Sequence, residues 1–516
     1  MLRRGGNAID AAVAAAFASF VTESALVNIG GGGVAQVFDP ASGQAVSYDF
    51  FSAMPGLAAN NPPTGVALDF RKIMVDFGAA QQPFYIGRGS VAVPGVVAGL
   101  SAMLVAQGRL SLAEVLAPAV KLAREGVVLN PGQAYITSLL TPIWHNTPEL
   151  AAIFSRDGRG LVAGERLHFP GLAETLLRLG EAGPALFYTG PVAQEIVVDQ
   201  QRHGGLLTKA DLSSYQVRQH NPITVTYRGY TVLLPPPCSA GGALIAFALN
   251  LLADQPLPSL AHNGASHLRL LAEVMRLTNV ARAHWEQASP TQAGPPLDHL
   301  LGPKMIRQYS GYLQDILAGA PPPSEPGLAK GPANTTHISV ADDDGLVVSI
   351  TTSAGESAGF VVGQTGIMLN NMLGEIDLHF NGFHQLPPGQ RLTTMMSPAI
   401  ILQEGQPVLV VGSGGSNRLR SAIVQTISNV LDFGLPLAEA VAAPRIHFEE
   451  NVLQLEGGIG PDVAQSLAAG GYQVNRWPAR NMFFGGAHAV ARQPDNHSQP
   501  WVAVGDARRG GAIAAE

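Results

Sequence analysis

Apolar residues run almost without a break from Ala11 to Val21, so a helix there has no polar face and is predicted to be buried on all sides. Four glycines, Gly30 to Gly33, separate that region from an apolar strand pattern ending near Asp39, which predicts backbone packed on backbone or a chain reversal. Residues 46–75 carry no clear period and read as loop with short strands. Residues 90–130 read as helix, turn, helix: Pro94 suits a first turn, Gly108 a cap, and Ser111 with Glu114 a capping box. Two more helices are predicted within 170–200, a loop opening at Asp211, a hairpin over Ile223–Leu234 turning at Arg228-Gly229, and helix over 240–285. Residues 318–334 hold five prolines and no hydrophobic period, which marks a linker. Strands follow at His337–Ala341, Leu346–Thr352, Gly366–Leu369, Pro398–Leu402 and Val408–Val411, then a helix near Ser421–Asp432. Strands and helices mix in both halves, so the class is α/β or α+β.

Composition narrows the picture. Charged residues are only 13% and hydrophobic ones 46%, which excludes a largely disordered chain and implies a large core. A length of 516 residues gives a prior of about three domains, fewer if one is large. The net charge of −7 gives no electrostatic footprint for nucleic acid or an anionic membrane. With 59 glycines and 38 prolines the fold is expected to be dense in turns. The single cysteine, Cys238, excludes an internal disulfide or a cysteine zinc site, and with no His or Lys near it in sequence it reads as a packing residue. Arg3-Arg4 before an Ala-rich stretch imitates a signal peptide, but Asp10 interrupts it and the apolar run is too short to span a bilayer. A helix at the very start leaves no strand ahead of it to pack on, so a truncated N-terminus is expected, and the cytoplasm is expected over export. His379 and His384 lie near Glu375, but Pro387-Pro388 make the region a loop, so neither a metal nor another cofactor is expected.

Two places could carry chemistry. The linker runs through Asn334 into Thr335-Thr336-His337 and an apolar strand. A cut before Thr335 would put a hydroxyl and an α-amine on one residue, and an amine of pKa about 7.7–8.0 can take the hydroxyl proton without a histidine. A Thr-Thr step opening a strand is also ordinary, so the motif alone leaves both readings open. Val411-Gly412-Ser413-Gly414-Gly415-Ser416-Asn417 ends a strand in a glycine turn before a helix; its N–H groups could face an oxyanion, or it could be only a tight turn.

In combination these segments resemble the γ-glutamyltransferase (γ-glutamyltranspeptidase) family across some 500 residues. The resemblance lies in Gly5-Gly6-Asn7-Ala8-Ile9-Asp10-Ala11-Ala12, Gly30–Gly33, Pro94-Gly95-Val96-Val97-Ala98-Gly99, Tyr227-Arg228-Gly229-Tyr230, Thr335-Thr336-His337-Ile338-Ser339-Val340, the GIMLNN segment 366–371, Met396-Ser397-Pro398 and Ala443-Pro444-Arg445-Ile446-His447. It implies the four-layer αββα sandwich of the N-terminal nucleophile hydrolases in one structural domain. It also implies a precursor that cuts itself between Asn334 and Thr335 into a large chain 1–334 and a small chain 335–516. Thr335 would be the nucleophile, Ser353 the hydroxyl beside it, and Gly414 and Gly415 the oxyanion glycines within a one-residue shift. The substrates would be γ-glutamyl amides such as glutathione, with an amino acid, a peptide or water accepting the acyl group.

The glutamyl-recognition set departs from the family pattern. The family's carboxylate-clamping arginine would align near Asn60, where none occurs; Arg71 and Arg88 are the candidate substitutes. After Asn371, Met372 stands for a glutamine and Glu375 for an aspartate, while Thr394 and Met395 stand for paired serines. Met372 and Met395 would make the pocket more apolar. Two other readings follow: an acylase of the same family acting on another amide, of the β-lactam side-chain type, and an unprocessed, inactive homologue with a binding role.

Overall fold

A computed structural model describes residues 1–57, 66–76, 81–287, 296–325, 335–379, 382–493 and 500–515. The protein is mixed α/β. Its principal strands are β1 (Gly32–Asp39), β2 (Gln44–Phe50), β3 (Arg218–His220), β4 (Ile223–Tyr227), β5 (Tyr230–Leu234), β6 (Thr336–Ala341), β7 (Val347–Ser353), β8 (Ala399–Gln403), β9 (Gln406–Gly414), β10 (Gly486–Arg492) and β11 (Trp501–Val504). They form a five-stranded sheet in the order β6-β7-β1-β2-β3 and a six-stranded sheet in the order β4-β5-β8-β9-β10-β11. Every neighbouring pair is antiparallel. Strands on both sides of residue 335 enter both sheets, so the segments 1–334 and 335–516 are interleaved rather than side by side.

The two sheets meet through β6 and β7 against β9, and β6 against β10. Helices α1 (Ala8–Thr22) and α2 (Val96–Gln107) contact the first sheet, and α3 (Leu112–Glu125) packs on α1. Helices α4 (Ala240–Leu252) and α6 (Arg418–Leu431) contact the second sheet, with α5 (Ala265–Gln287) behind them. Two large apolar clusters correspond to these two halves.

The predicted buried helix is α1, with Ile9, Val13, Phe17 and Phe20 all within the core. Asp10, which breaks the signal-like run, closes a capping box with Asn7 and also accepts the backbone N–H groups of Arg109 and Leu110, tying α1 to the turn between α2 and α3. That turn carries the expected Ser111–Glu114 box. The hairpin turns at Arg228 (φ 54°) and Gly229 (φ 82°), the left-handed pair that a two-residue turn needs.

At the start of the span read as loop with short strands, residues 44–50 form a strand inside the sheet, fixed by bonding to β1 and β3 on both sides rather than by periodicity. Three readings need correction. Asp211 lies in a short helix, Lys209–Ser213, where it accepts the N–H of the N-cap Thr208 and closes a capping box, and does not open a loop. Residues 170–200 hold three helical segments, not two. The helix over 240–285 is broken between Leu252 and Ala265. Of the linker, 318–325 is described; 326–334, including Asn334, lies outside the described residues, as does Asn60. Among the described residues no helix is long and apolar enough to cross a membrane.

Candidate active site around Thr335

Thr335 is buried at the start of β6, an edge strand. The register pairs Thr336 with Thr352, so one residue further Thr335 comes level with Ser353, the last residue of β7. Directly opposed residues of an antiparallel pair project to the same face. Two residues on, that face is the one between the sheets: the His337 ring occupies the place a side chain on Gly412 of β9 would take, at 2.2 Å. His337 contacts the Thr351 hydroxyl through Nδ1 (2.9 Å) and the Ser339 hydroxyl through Nε2 (2.8 Å). Burial, and secondarily His488, hold its pKa well below the usual range, so it is a neutral spacer between the sheets. Thr336 faces the other way and donates its hydroxyl to the Glu23 carboxylate at the end of α1.

The glycine turn reaches Thr335 directly. A Cβ on Gly414 would stand 2.2 Å from the Thr335 carbonyl oxygen and 3.4 Å from its Cβ, so only glycine allows β9 to approach the start of β6 this closely. Gly415 (φ 126°) and Ser416 (φ 52°) then turn the chain into α6, whose N-terminus has no side-chain cap. N–H groups of a first helical turn lack intrahelical acceptors and carry the positive end of the macrodipole, an arrangement that favours a developing negative charge. Behind the turn, Asn417 donates to Glu449 (3.0 Å) and accepts from Arg282 (3.2 Å). Burial pushes the Glu449 carboxyl up, but His447, Arg418 and Arg420 outweigh it and hold it at about 2. The turn is therefore anchored by ionised groups.

The loop after β7 supplies the third wall. Asn370 is structural: its side chain donates to the carbonyls of Gly30 (2.7 Å) and Ala92 (2.9 Å) and accepts from Ala92 and Met372 N–H groups. Asn371 accepts the Glu356 N–H (2.8 Å) and faces Gly355, where a Cβ would also meet Glu375 at 2.7 Å. Gly355 in turn donates its N–H to the Ser353 hydroxyl (3.0 Å), so Glu375, Asn371 and Ser353 converge on one loop. Two residues beyond Glu375, Asp377 accepts the Ser416 hydroxyl (2.8 Å), linking this acidic wall to the glycine turn. Sequence reasoning missed Asp377, the partner of Ser416 in the glycine turn; its only signal was an acid two residues from Glu375.

Burial first, and the neighbouring Glu356 carboxyl second, push the Glu375 carboxyl well up. A carboxyl raised in the folded state carries no ionisation cost below the ordinary range, and a growing cost as pH rises towards its folded value. Glu375→Gln should therefore raise Tm at about pH 8, the gain disappearing near pH 4 where the unfolded carboxyl is also largely protonated. Melting curves across that range check it; an equal gain at both ends would contradict it.

The remaining candidates separate. Met372 packs with Val34, Phe51, Met54 and Met396, near Cys238. Met395 instead joins the core of the second sheet and α4. The methionine beside Met372 is thus Met396, one residue from the expected position, because successive residues of an extended segment face opposite ways. Thr394 is buried, bridges Ser239 and accepts the Met396 N–H (3.2 Å). Arg88 pairs with Asp199 (3.1 Å) and Asp69 (3.7 Å) under the Phe360 ring. Arg71 is half exposed and pairs with Asp69 (2.9 Å). Neither guanidinium is unengaged. Among the described residues no group of three His, Cys, Asp or Glu is arranged to hold a metal.

The family model described as gamma-glutamyltranspeptidase matches residues 1–516. The acylase ACY 1 proenzyme of Pseudomonas sp. (strain V22) is 34% identical over 502 residues, covering 96% of this chain and 87% of its own length. The glutathione hydrolase proenzyme of Escherichia coli (strain K12) is 32% identical over 501 residues, covering 92% and 83%. Cephalosporin acylase from Bacillus halodurans superposes with a TM-score of 0.83 at 25% identity, covering 100% of this chain and 92% of that one. Helicobacter pylori gamma-glutamyltranspeptidase superposes with a TM-score of 0.51 at 30% identity, covering 63% and 88%.

Proposed function

The chain belongs to the γ-glutamyltranspeptidase family of enzymes, and from that premise we propose that it is an autoprocessing amide hydrolase and acyltransferase with Thr335 as nucleophile. The observation that carries this reading is the direct contact of the Gly414 turn with Thr335 at the start of β6. In the same reading the two facing sheets with helices on their outer sides are the four-layer αββα sandwich of the N-terminal nucleophile hydrolases.

The chemistry runs in two stages. The Thr335 hydroxyl attacks the carbonyl of Asn334; the C–N bond breaks and an ester forms. Water then cleaves the ester, leaving a carboxylate on Asn334 and an α-amine on Thr335. In turnover that amine takes the hydroxyl proton as Oγ1 attacks the substrate amide. Negative charge on the former carbonyl oxygen faces the N–H groups of the Gly414–Gly415 turn. The amine product leaves with the proton, and water or an amine acceptor releases the acyl group. Ser353, level with Thr335, would hold the nucleophile's hydroxyl in place. Asn371 and Glu375 would receive an ammonium on the acyl group.

γ-Glutamyl amides are the first substrates of this reading. A second reading, acylase activity on a less polar amide, is favoured by Met372 packing with Met396 and by the engagement of Arg88 with two carboxylates. Both relatives above are proenzymes, one a glutathione hydrolase and one an acylase. The test is a panel of p-nitroanilides bearing γ-glutamyl, glutaryl and unsubstituted aliphatic acyl groups, with mass spectrometry for acylated Thr335. A γ-glutamyl optimum supports the first reading and an aliphatic optimum the second. No turnover by a processed protein contradicts both.

A further inference from the structure

We infer that Arg509 is the carboxylate-binding group of this site. The inference rests on the reading of the Thr335 region as an acyl-transfer centre. It starts from a contrast between neighbours. Arg508 is saturated: its guanidinium bonds Asp506 and the carbonyls of Val441 and Ala443, and pairs with Glu456 at 2.5 Å. Arg509 points the other way, and its Nε and Nη1 are buried without a hydrogen-bond partner. Its Nη2 lies 3.3 Å from where a Cβ on Gly415 would be, beside the turn that touches Thr335. The stem reaches that place across β10, where a Cβ on Gly486 would meet Arg509 Cδ at 2.6 Å and Cγ at 2.8 Å. Any side chain at 486 would close that passage.

Buried guanidinium nitrogens without acceptors, here Nε and Nη1, are costly, and a carboxylate is their best-matched partner. The other charges around it are Arg418, which repels it, Asp506, which is engaged with Arg445 (2.8 Å) and Arg508 (3.2 Å), and Glu23, which is engaged with Thr336. Arg71 and Arg88 already have carboxylate partners, so Arg509 is the arginine here with donors to offer. Two carboxylates could take the place: one on the substrate's acyl chain, or the one created on Asn334 by processing.

Glutarate binding, followed by calorimetry, distinguishes these sources without requiring turnover. Binding to the processed wild-type protein, lost in Arg509→Gln, assigns the site to a substrate carboxylate. Binding only to the uncleaved Thr335→Ala chain assigns it to the Asn334 carboxylate, because processing then fills the site. For a substrate carboxylate, Arg509→Gln should also lower the ratio of kcat/KM for glutaryl over butyryl p-nitroanilide by about 10- to 100-fold, with Arg509→Lys recovering part of it. Equal glutarate binding by wild type and Arg509→Gln, or none by either wild-type or Thr335→Ala protein, overturns the inference. Failure of all amide turnover with glutarate binding intact would instead count against the functional reading.

Discussion

Thr335→Ala is expected to leave the protein as one uncut chain of 516 residues and to abolish amide turnover, with a loss of at least about 10^4-fold. The substitution removes the hydroxyl on which both proposed stages depend, the attack on Asn334 and the attack on substrate. It removes little else. Thr335 opens an edge strand whose ladder begins at Thr336, so the backbone pairing of β6 with β7 does not depend on its side chain. The variant should therefore melt close to an uncut wild-type precursor. Thr335→Ser is the informative companion: it keeps a hydroxyl and should process and turn over, more slowly. A denaturing gel and a single amide assay check both. A cleaved Thr335→Ala protein would move the nucleophile elsewhere.

Gly414→Ala is expected to cost about 10^2- to 10^3-fold in kcat, the size of a lost oxyanion donor, and to slow processing. The added carbon would sit 2.2 Å from the Thr335 carbonyl oxygen. The obstacle is backbone, so no rotamer relieves it; either β9 withdraws or β6 does. Both movements separate the turn from the nucleophile. Overpacking of this kind also costs about 1–3 kcal/mol of stability. Gly311→Ala is the control, because nothing lies within 4 Å of its added carbon in the helix Pro303–Leu317. There alanine should be neutral or stabilising by up to about 1 kcal/mol. Steady-state kinetics with thermal melts on both variants separate the local effect from a general intolerance of glycine replacement.

Much of the fold was legible because it rests on local rules. The continuous apolar run gave α1, the Ser111–Glu114 spacing gave the start of α3, and Arg228-Gly229 gave the hairpin. Strand β2 was not legible: Ser47 and Asp49 interrupt its pattern yet are buried, Asp49 because Arg391, distant in sequence, pairs with it at 3.1 Å. The site shows the same division. Thr335 and the glycine turn are singled out by the family resemblance rather than by their local motifs, and the structure brings them together. Which arginine retains free donors depends partly on a carboxylate distant in sequence, as for Arg88 with Asp199. Which methionine joins Met372 depends on the phase of an extended segment, and Met395-Met396 gives no clue to it.

The central claim is that this chain matures by cutting itself before Thr335. Intact mass and N-terminal sequencing of the purified wild-type protein, separated under denaturing conditions, test it most directly. The account predicts two chains, the smaller beginning Thr335-Thr336-His337-Ile338. A single chain that stays whole after prolonged incubation, or a cut at any other bond, would contradict it.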